Sequence, residues 1–457
     1  MMEITVKDVL RVTEGKLLAG NENAAIEGFS IDSRTLTFGR TFIAVKGRNF
    51  DGHDFIDEAV AKGSAGLIVE RLASRTQVMA GGNVIAVEDT RKAMGAIAAE
   101  LRKKVDIPVI CITGTNGKTT IKEMLAHLLS SRYNVLKSRA SYNNVIGLGL
   151  TLFDLDLSHE AAVLELGTNS PGEIAELAAI AAPRIAIISN IGEGHLESFN
   201  DREGVFAEKA SLLDFLPQDG IAFLNKDDDL LSHASARGAA TRFFGSSSGC
   251  DHVLSDIARE GGGYRFRLNG EVFYVPLEGA HNVYNAAAAV AAGARLGLAF
   301  DEMRERLKDV SLPSMRLERA DVNGVTFLND SYNANPDSFE CALRALEARP
   351  ADRKGVVAGD MLELGEKARI LHRRTGRSVA AKGIDFLITL GDHARDLAQG
   401  ALEAGMAGEN VVCAESHEDA AEKVLAMAGE GTVVLLKGSR GSKMEEVLKC
   451  FTTCCTL

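Results

Sequence analysis

The sequence predicts an α/β protein of three domains: a small N-terminal α/β domain, a central domain with a mainly parallel sheet, and a C-terminal Rossmann-like domain. Three observations predict it. The chain has 457 residues, which at roughly 100–200 residues per domain suggests three. Composition leans to Ala, Val, Leu, Ile and Gly, with few aromatics and no tryptophan, the usage of packed α/β layers. Short apolar segments alternate with amphipathic ones through the second and third parts of the chain, as in parallel sheets covered on both faces.

The N-terminal domain is expected over 1–87. Residues 1–7 read as a strand entering a helix, followed by strand-and-turn segments at 28–34 and 41–45. A helix over 54–62 then precedes strands at 66–70 and 83–87. Asp89 and Thr90 signal the start of a helix over 90–104 that leads into the second domain. That domain, over 88–312, carries strands at 108–112, 162–166 and 185–189, a hairpin within 263–276 turning at Asn269-Gly270, and an alanine-rich helix over 282–296. The third domain, over 313–457, opens after Leu312-Pro313. Its strands at 355–358, 386–390, 411–413 and 433–436 each feed a loop and a helix, as in a doubly wound fold.

A net charge of −12 argues against non-specific binding to nucleic acid or anionic membrane. An anionic ligand would have to be held by local devices such as helix N-termini, loop amides, a few Lys or Arg, and metal ions. No charged-then-apolar leader opens the chain, and no apolar run approaches the roughly 18 residues that span a bilayer. A cytoplasmic monomer is expected. The seven cysteines read as reduced thiols, with Cys111, Cys341 and Cys413 in apolar runs and Cys450, Cys454 and Cys455 in a frayed tail.

The sharpest local signal is Thr113-Gly114-Thr115-Asn116-Gly117-Lys118-Thr119-Thr120, between an apolar strand and a helix over 121–130. Gly114 and Gly117 let the backbone curl so that amide N–H groups converge on one phosphate, and the helix dipole adds favourable potential. Lys118 would neutralise β/γ-phosphate charge and Thr119 would ligate Mg²⁺. The loop is the short G-x-x-G-K-T form, with Ile112 where the longer pattern has glycine, and it makes the central unit a P-loop domain. By itself it says only that a nucleotide binds.

Other residues narrow the choice. Glu165 ends an apolar strand beside the loop, where a carboxylate can hold Mg²⁺ directly or through water. His195 lies in a Gly-flanked loop after another strand, and an imidazole there would mark a second metal near the γ-phosphate. Lys209 sits on a helix, where a lysine usually faces solvent. Asn282, in His281-Asn282-Val283-Tyr284-Asn285, either caps the alanine-rich helix or reads adenine with its amide.

Together these segments resemble the Mur ligases and their folylpolyglutamate synthase relatives, from about residue 28 to residue 447. The resemblance rests on 113–120, Asn143-Asn144 with Gly147, Glu165-Leu166-Gly167, Gly194-His195-Leu196-Glu197, Lys209 and His281–Asn285. In the third domain Asn329-Asp330-Ser331-Tyr332-Asn333-Ala334-Asn335-Pro336-Asp337-Ser338, the run 358–366 with His372 beyond it, and Leu436-Lys437-Gly438-Ser439-Arg440 resemble the branch whose incoming amine is D-alanyl-D-alanine.

The resemblance implies a reaction. ATP phosphorylates the terminal carboxylate of a UDP-muramoyl tripeptide, the amine of D-alanyl-D-alanine attacks the acyl phosphate, and amide, ADP and phosphate leave. It implies a catalytic set of Lys118, Lys209 and His195, and two Mg²⁺ held by Thr119, Glu165, His195 and a carbamylated Lys209, which reverses the solvent-facing reading of that lysine. ATP would be held by Gly114 through Thr120 together with Asn282, Asp330 and Tyr332, with Arg316 reaching the phosphates. Substrate contacts would come from Ser33 and Arg34 at the UDP end, and from Asn143, Asn144, Asn333 and Asn335.

The sequence departs from the family at three points: Gly149 stands where proline is usual, which would loosen that loop, Gly194 where alanine is common, and Ser211 where glutamate is frequent. The alternatives are a folylpolyglutamate synthase-like or third-residue-adding ligase, and a P-loop switch or motor ATPase. The third-domain segments oppose the first pair, and the strand ending Glu165-Leu166-Gly167 opposes the last.

Overall fold

A computed structural model of the chain describes residues 4–47, 50–72 and 82–455. Three sheets organise it. The first runs in the order Lys16–Ala19, Asn83–Ala86, Gly66–Val69, Thr41–Ile43, Phe29–Ser30. Only its first pair is antiparallel. Residues 1–3 of the expected opening strand lie outside the described residues. Thr5 instead caps the helix Val6–Thr13 in a reciprocal box with Asp8 and makes a single bridge to Ala25. The expected helix over 54–62 begins as a 3-10 turn, Gly52–Phe55, before continuing as Ile56–Ala61.

The second sheet has nine strands. Its parallel part contains Val135–Lys137, Ala161–Glu165, Val109–Thr113, Ile185–Ile188, Ile221–Asn225 and Ala240–Gly245, followed by His252–Glu260. The expected hairpin, Gly263–Leu268 with Glu271–Val275, closes one edge and turns at Asn269-Gly270. Alternate residues of one strand serve different cores. Val109 and Cys111 pack with Met94 and Leu148, whereas Ile110 and Ile112 pack with Ile121 and Val283. The helices that cover the second of these faces are Lys118–Leu129 and the alanine-rich His281–Arg295, whose methyl side chains let the two pack together.

The third sheet has the order Glu318–Val322, Val325–Asp330, Thr432–Lys437, Arg353–Ala358, Phe386–Leu390, Val411–Ala414. Its first pair is an antiparallel hairpin absent from the sequence reading, and the rest is parallel. In register, Asp330, Lys437 and Ala358 end three neighbouring strands on one edge, where a ligand crevice is expected in such a fold.

Three local expectations are corrected. The C-terminal tail is not frayed through its cysteines: Glu445–Cys454 is a helix, and Cys450 and Cys455 pack against the third core. Cys413 is exposed, because it lies on the last strand of the sheet. Gly149 does not loosen a loop. It lies inside the helix Val145–Phe153, where a Cβ would meet Met94 at 2.8 Å.

Candidate functional site

The phosphate loop is built by two glycines at positions where any side chain would be strained. Gly114 has φ +140° and its Cβ would lie 1.9 Å from Ser189 Oγ. Gly117 has φ +86° and its Cβ would lie 2.4 Å from Asn285 Oδ1. Neighbouring strands hold the curl. Asn190 Oδ1 accepts from Asn116 N at 2.9 Å, its Nδ2 donates to Asn116 O at 3.0 Å, and Gly192 N donates to Thr115 Oγ1 at 2.8 Å. Lys118 Nζ donates to Gly114 O and Thr115 O at 2.8 and 3.1 Å, and burial lowers its pKa. Thr120 is buried behind the loop.

Thr119 Oγ1 donates to Glu165 Oε2 at 2.8 Å, and Asn143 Nδ2 donates to Glu165 Oε1 at 2.9 Å. The carboxylate is 1% exposed. Arg316 comes from beyond the central domain and donates to Thr119 Oγ1 at 2.9 Å, with its guanidinium 4.1 Å above the Tyr332 ring. The C-terminal strands present Asp330, ion-paired with the buried Lys437, and Lys437 also donates to Asn333 O at 3.2 Å. These residues, with His195, Asn282, Asn144 and Asn335, line one cleft of about 910 Å³ between the central and C-terminal sheets.

Lys209 does not face solvent. It is 1% exposed, and its pKa lies well below the ordinary lysine value, first because of burial and then because of the Lys118 charge. Both effects disfavour the ammonium form of this side chain. Asn282 does not cap its helix, which has no side-chain cap. Its Nδ2 donates to Glu278 O at 2.7 Å and its Oδ1 accepts from Asn285 at 2.9 Å. Asn144 caps Val145–Phe153 by accepting from Gly147 N.

Asn335 caps Pro336–Glu347 and exchanges amide hydrogen bonds with Asn116, at 2.9 and 3.3 Å. Ser33 and Arg34 are not brought to this cleft. Ser33 Oγ donates to Glu58 Oε2 at 2.8 Å, while Arg34 pairs with Asp32 and its side chain is 82% exposed.

The sequence reading missed Lys122, the fully buried lysine of the phosphate-loop helix. It donates to Ser138 O and Ala140 O at 2.8 and 2.6 Å and so carries the segment leading to Asn143. A lysine among apolar helix positions was its only signal. It also missed the docking role of Asp337, which accepts from Glu193 N at 2.5 Å. Burial pushes that carboxyl up against the lowering effect of the N–H. Gly192 makes the approach possible, since its Cβ would meet Asp337 at 2.3 Å, and Gly194 spares a 2.9 Å contact with Thr115.

Among the described residues no three His, Cys, Asp or Glu side chains form a metal cage. The donor set still fits Mg²⁺, which keeps waters and is usually held by one or two carboxylates plus substrate phosphates. The buried Thr119–Glu165 pair beside the phosphate loop is such a half-site.

The family models of the Mur ligase middle domain, the Mur ligase glutamate ligase domain and the Mur ligase catalytic domain match residues 112–293, 315–440 and 25–102. A curated UDP-N-acetylmuramoyl-tripeptide--D-alanyl-D-alanine ligase from Bacillus subtilis is 35% identical over 98% of both chains. A crystal structure of MurF from Acinetobacter baumannii superposes with a TM-score of 0.90 at 29% identity over 99% of both chains. A MurF ligase from Thermotoga maritima in complex with ADP superposes at 0.84 and 30% identity, over 94% of this chain and 98% of that one.

Proposed function

The chain belongs to the Mur ligase family, and we propose that it is the ATP-dependent member that joins D-alanyl-D-alanine to UDP-N-acetylmuramoyl-tripeptide in peptidoglycan synthesis. The observation that carries the reading is the Arg316–Thr119 hydrogen bond. It draws the surroundings of a γ-phosphate from two domains, as a transfer from ATP to a second substrate across a cleft requires. The full-length likeness to a D-alanyl-D-alanine-adding relative supports the choice of amine.

The γ-phosphoryl group passes to the tripeptide carboxylate, forming an acyl phosphate and ADP. The dipeptide amine attacks the acyl carbon, loses a proton, and expels phosphate as the amide forms. Amides of 114–120 and Lys118 bind the phosphates, while Asn282, Asp330 and Tyr332 hold the adenosine and Arg316 neutralises developing charge. Asn143 and Asn144 lie on the tripeptide side, and Asn333 and Asn335 on the dipeptide side. Ser33 and Arg34 serve the UDP end from the N-terminal domain, 1–87, with 88–312 and 313–457 as the other two. Thr119, Glu165, His195 and Lys209, the last as its carbamate, would hold two Mg²⁺, whose chemistry is charge neutralisation of the transferring phosphoryl group. Carbamylation converts the neutral Lys209 amine and CO₂ to an anion with release of a proton. The enzyme works as a cytoplasmic monomer.

The test is substrate dependence. ADP release by the purified chain should require both the UDP-muramoyl tripeptide and D-alanyl-D-alanine. Stimulation by a folate plus glutamate, or hydrolysis without any amino-acid substrate, would overturn the assignment.

A further inference from the structure

Glu363 has no part in the reaction above, yet through it the C-terminal domain touches His195. Its loop leaves the strand Arg353–Ala358 and crosses to the central domain. There Glu363 O accepts from Glu197 N at 3.1 Å, and Glu363 Oε2 lies 2.6 Å from His195 Nδ1. Lys367 Nζ then donates to Asn200 O at 2.8 Å. Both contacting residues hold left-handed backbone, His195 at φ +56° and Glu363 at φ +63°. That conformation is disfavoured for a residue with a Cβ and persists where the surroundings over-determine it, commonly at functional sites. Here two such residues from different domains face each other. Nδ1 is a buried nitrogen that no hydrogen bond satisfies as the side chains stand, and the Glu363 carboxylate oxygen at 2.6 Å is the acceptor placed beside it.

An imidazole presents a lone pair on one nitrogen only when the proton sits on the other, and a carboxylate partner commonly decides which. We propose that Glu363 is the positioning residue for His195: it holds the proton on Nδ1, frees Nε2 for a divalent cation, and does so only while the C-terminal domain is docked. The inference rests on the reading of His195 as a metal ligand. It makes the cation site beside the γ-phosphate a sensor of domain closure, complete only when the domain bringing the amine has arrived.

The test is Mn²⁺ binding to the full chain, followed by electron paramagnetic resonance, with a non-hydrolysable ATP analogue and the UDP-linked tripeptide present. Glu363→Ala should weaken one of two Mn²⁺ sites by about 10–100-fold and leave the other unchanged. Glu363→Gln, which keeps an oxygen at the same reach, should retain most of that affinity, and His195→Ala should lose the same site. In metal-free enzyme, ¹⁵N-histidine spectra should show the His195 proton on Nδ1, shifting toward Nε2 in Glu363→Ala. If His195→Ala loses a site while Glu363→Ala keeps both, or if Gln behaves as Ala, the positioning role is refuted. If His195→Ala keeps both sites, the ligand reading fails and this inference fails with it.

Discussion

Replacing Gly117 by alanine tests whether the phosphate loop is held open by glycine geometry or merely tolerates it. At φ +86° a Cβ is strained, at about 1–2 kcal/mol. The same Cβ falls 2.4 Å from Asn285 Oδ1. Asn285 is buried and donates to Asn282 at 2.9 Å, so it can retreat only by giving up that bond, worth about 1 kcal/mol. The total is about 2–3 kcal/mol. In the free enzyme the loop can escape part of this by unbending, and nucleotide binding must then restore the curl. Between ADP affinity, by calorimetry, and unfolding free energy, by urea titration, the whole amount should therefore appear. If it falls entirely on binding, affinity drops by roughly 30–150-fold. Both quantities unchanged to within about 0.5 kcal/mol, inside the scatter of neutral surface substitutions, would refute the reasoning.

With ¹³C-bicarbonate, a carbamate carbon resonance should appear in the wild type and be absent from Lys209→Ala, whose amide synthesis should fall by about 10²–10³-fold, the scale of a lost electrostatic stabiliser; wild-type turnover in that variant would exclude the role. His281 titrates at about 4 rather than 6.5, chiefly through burial, with Asp330 favouring and Lys437 opposing its proton. The unfolded chain thus binds more protons between those limits, and stability falls as pH drops from 6.5 to about 4, by about 3 kcal/mol in full. Subtracting melting curves of His281→Asn from wild type across that range should recover this slope, and a flat difference would count against it. Lys437→Met strands the Asp330 carboxylate and should destabilise the C-terminal domain by about 3–5 kcal/mol in urea unfolding, with Asp330→Asn in the same chain restoring part of the loss; an unchanged midpoint would show that the pair is dispensable.

How much was legible in the sequence follows the range of the forces involved. The phosphate loop is a local object: an apolar strand, two glycines, a lysine and a helix lie within a dozen residues, and their backbone demands are written in residue type. Several parallel strands of the two larger sheets could likewise be read, because burial on both faces leaves uninterrupted apolar runs. The hairpin Glu318–Val322 with Val325–Asp330 was not read, since half-exposed segments carry no comparable pattern, and Ile221–Asn225 was missed although it is buried throughout.

The charge state of Lys209 was beyond the sequence taken residue by residue. A helical lysine faces water or the interior according to what packs on it, and only burial beside Lys118 lowers the pKa of this amine. Nor could spacing show that Asn335 meets Asn116, that Asp337 accepts from Glu193 N, or that Glu363 reaches His195. These are contacts between domains. The sequence by itself determined the backbone of the phosphate site, because glycine and lysine act where they stand. The tertiary structure decided which distant groups surround that site, because burial, ion pairing and docking depend on positions that the chain brings together only when folded.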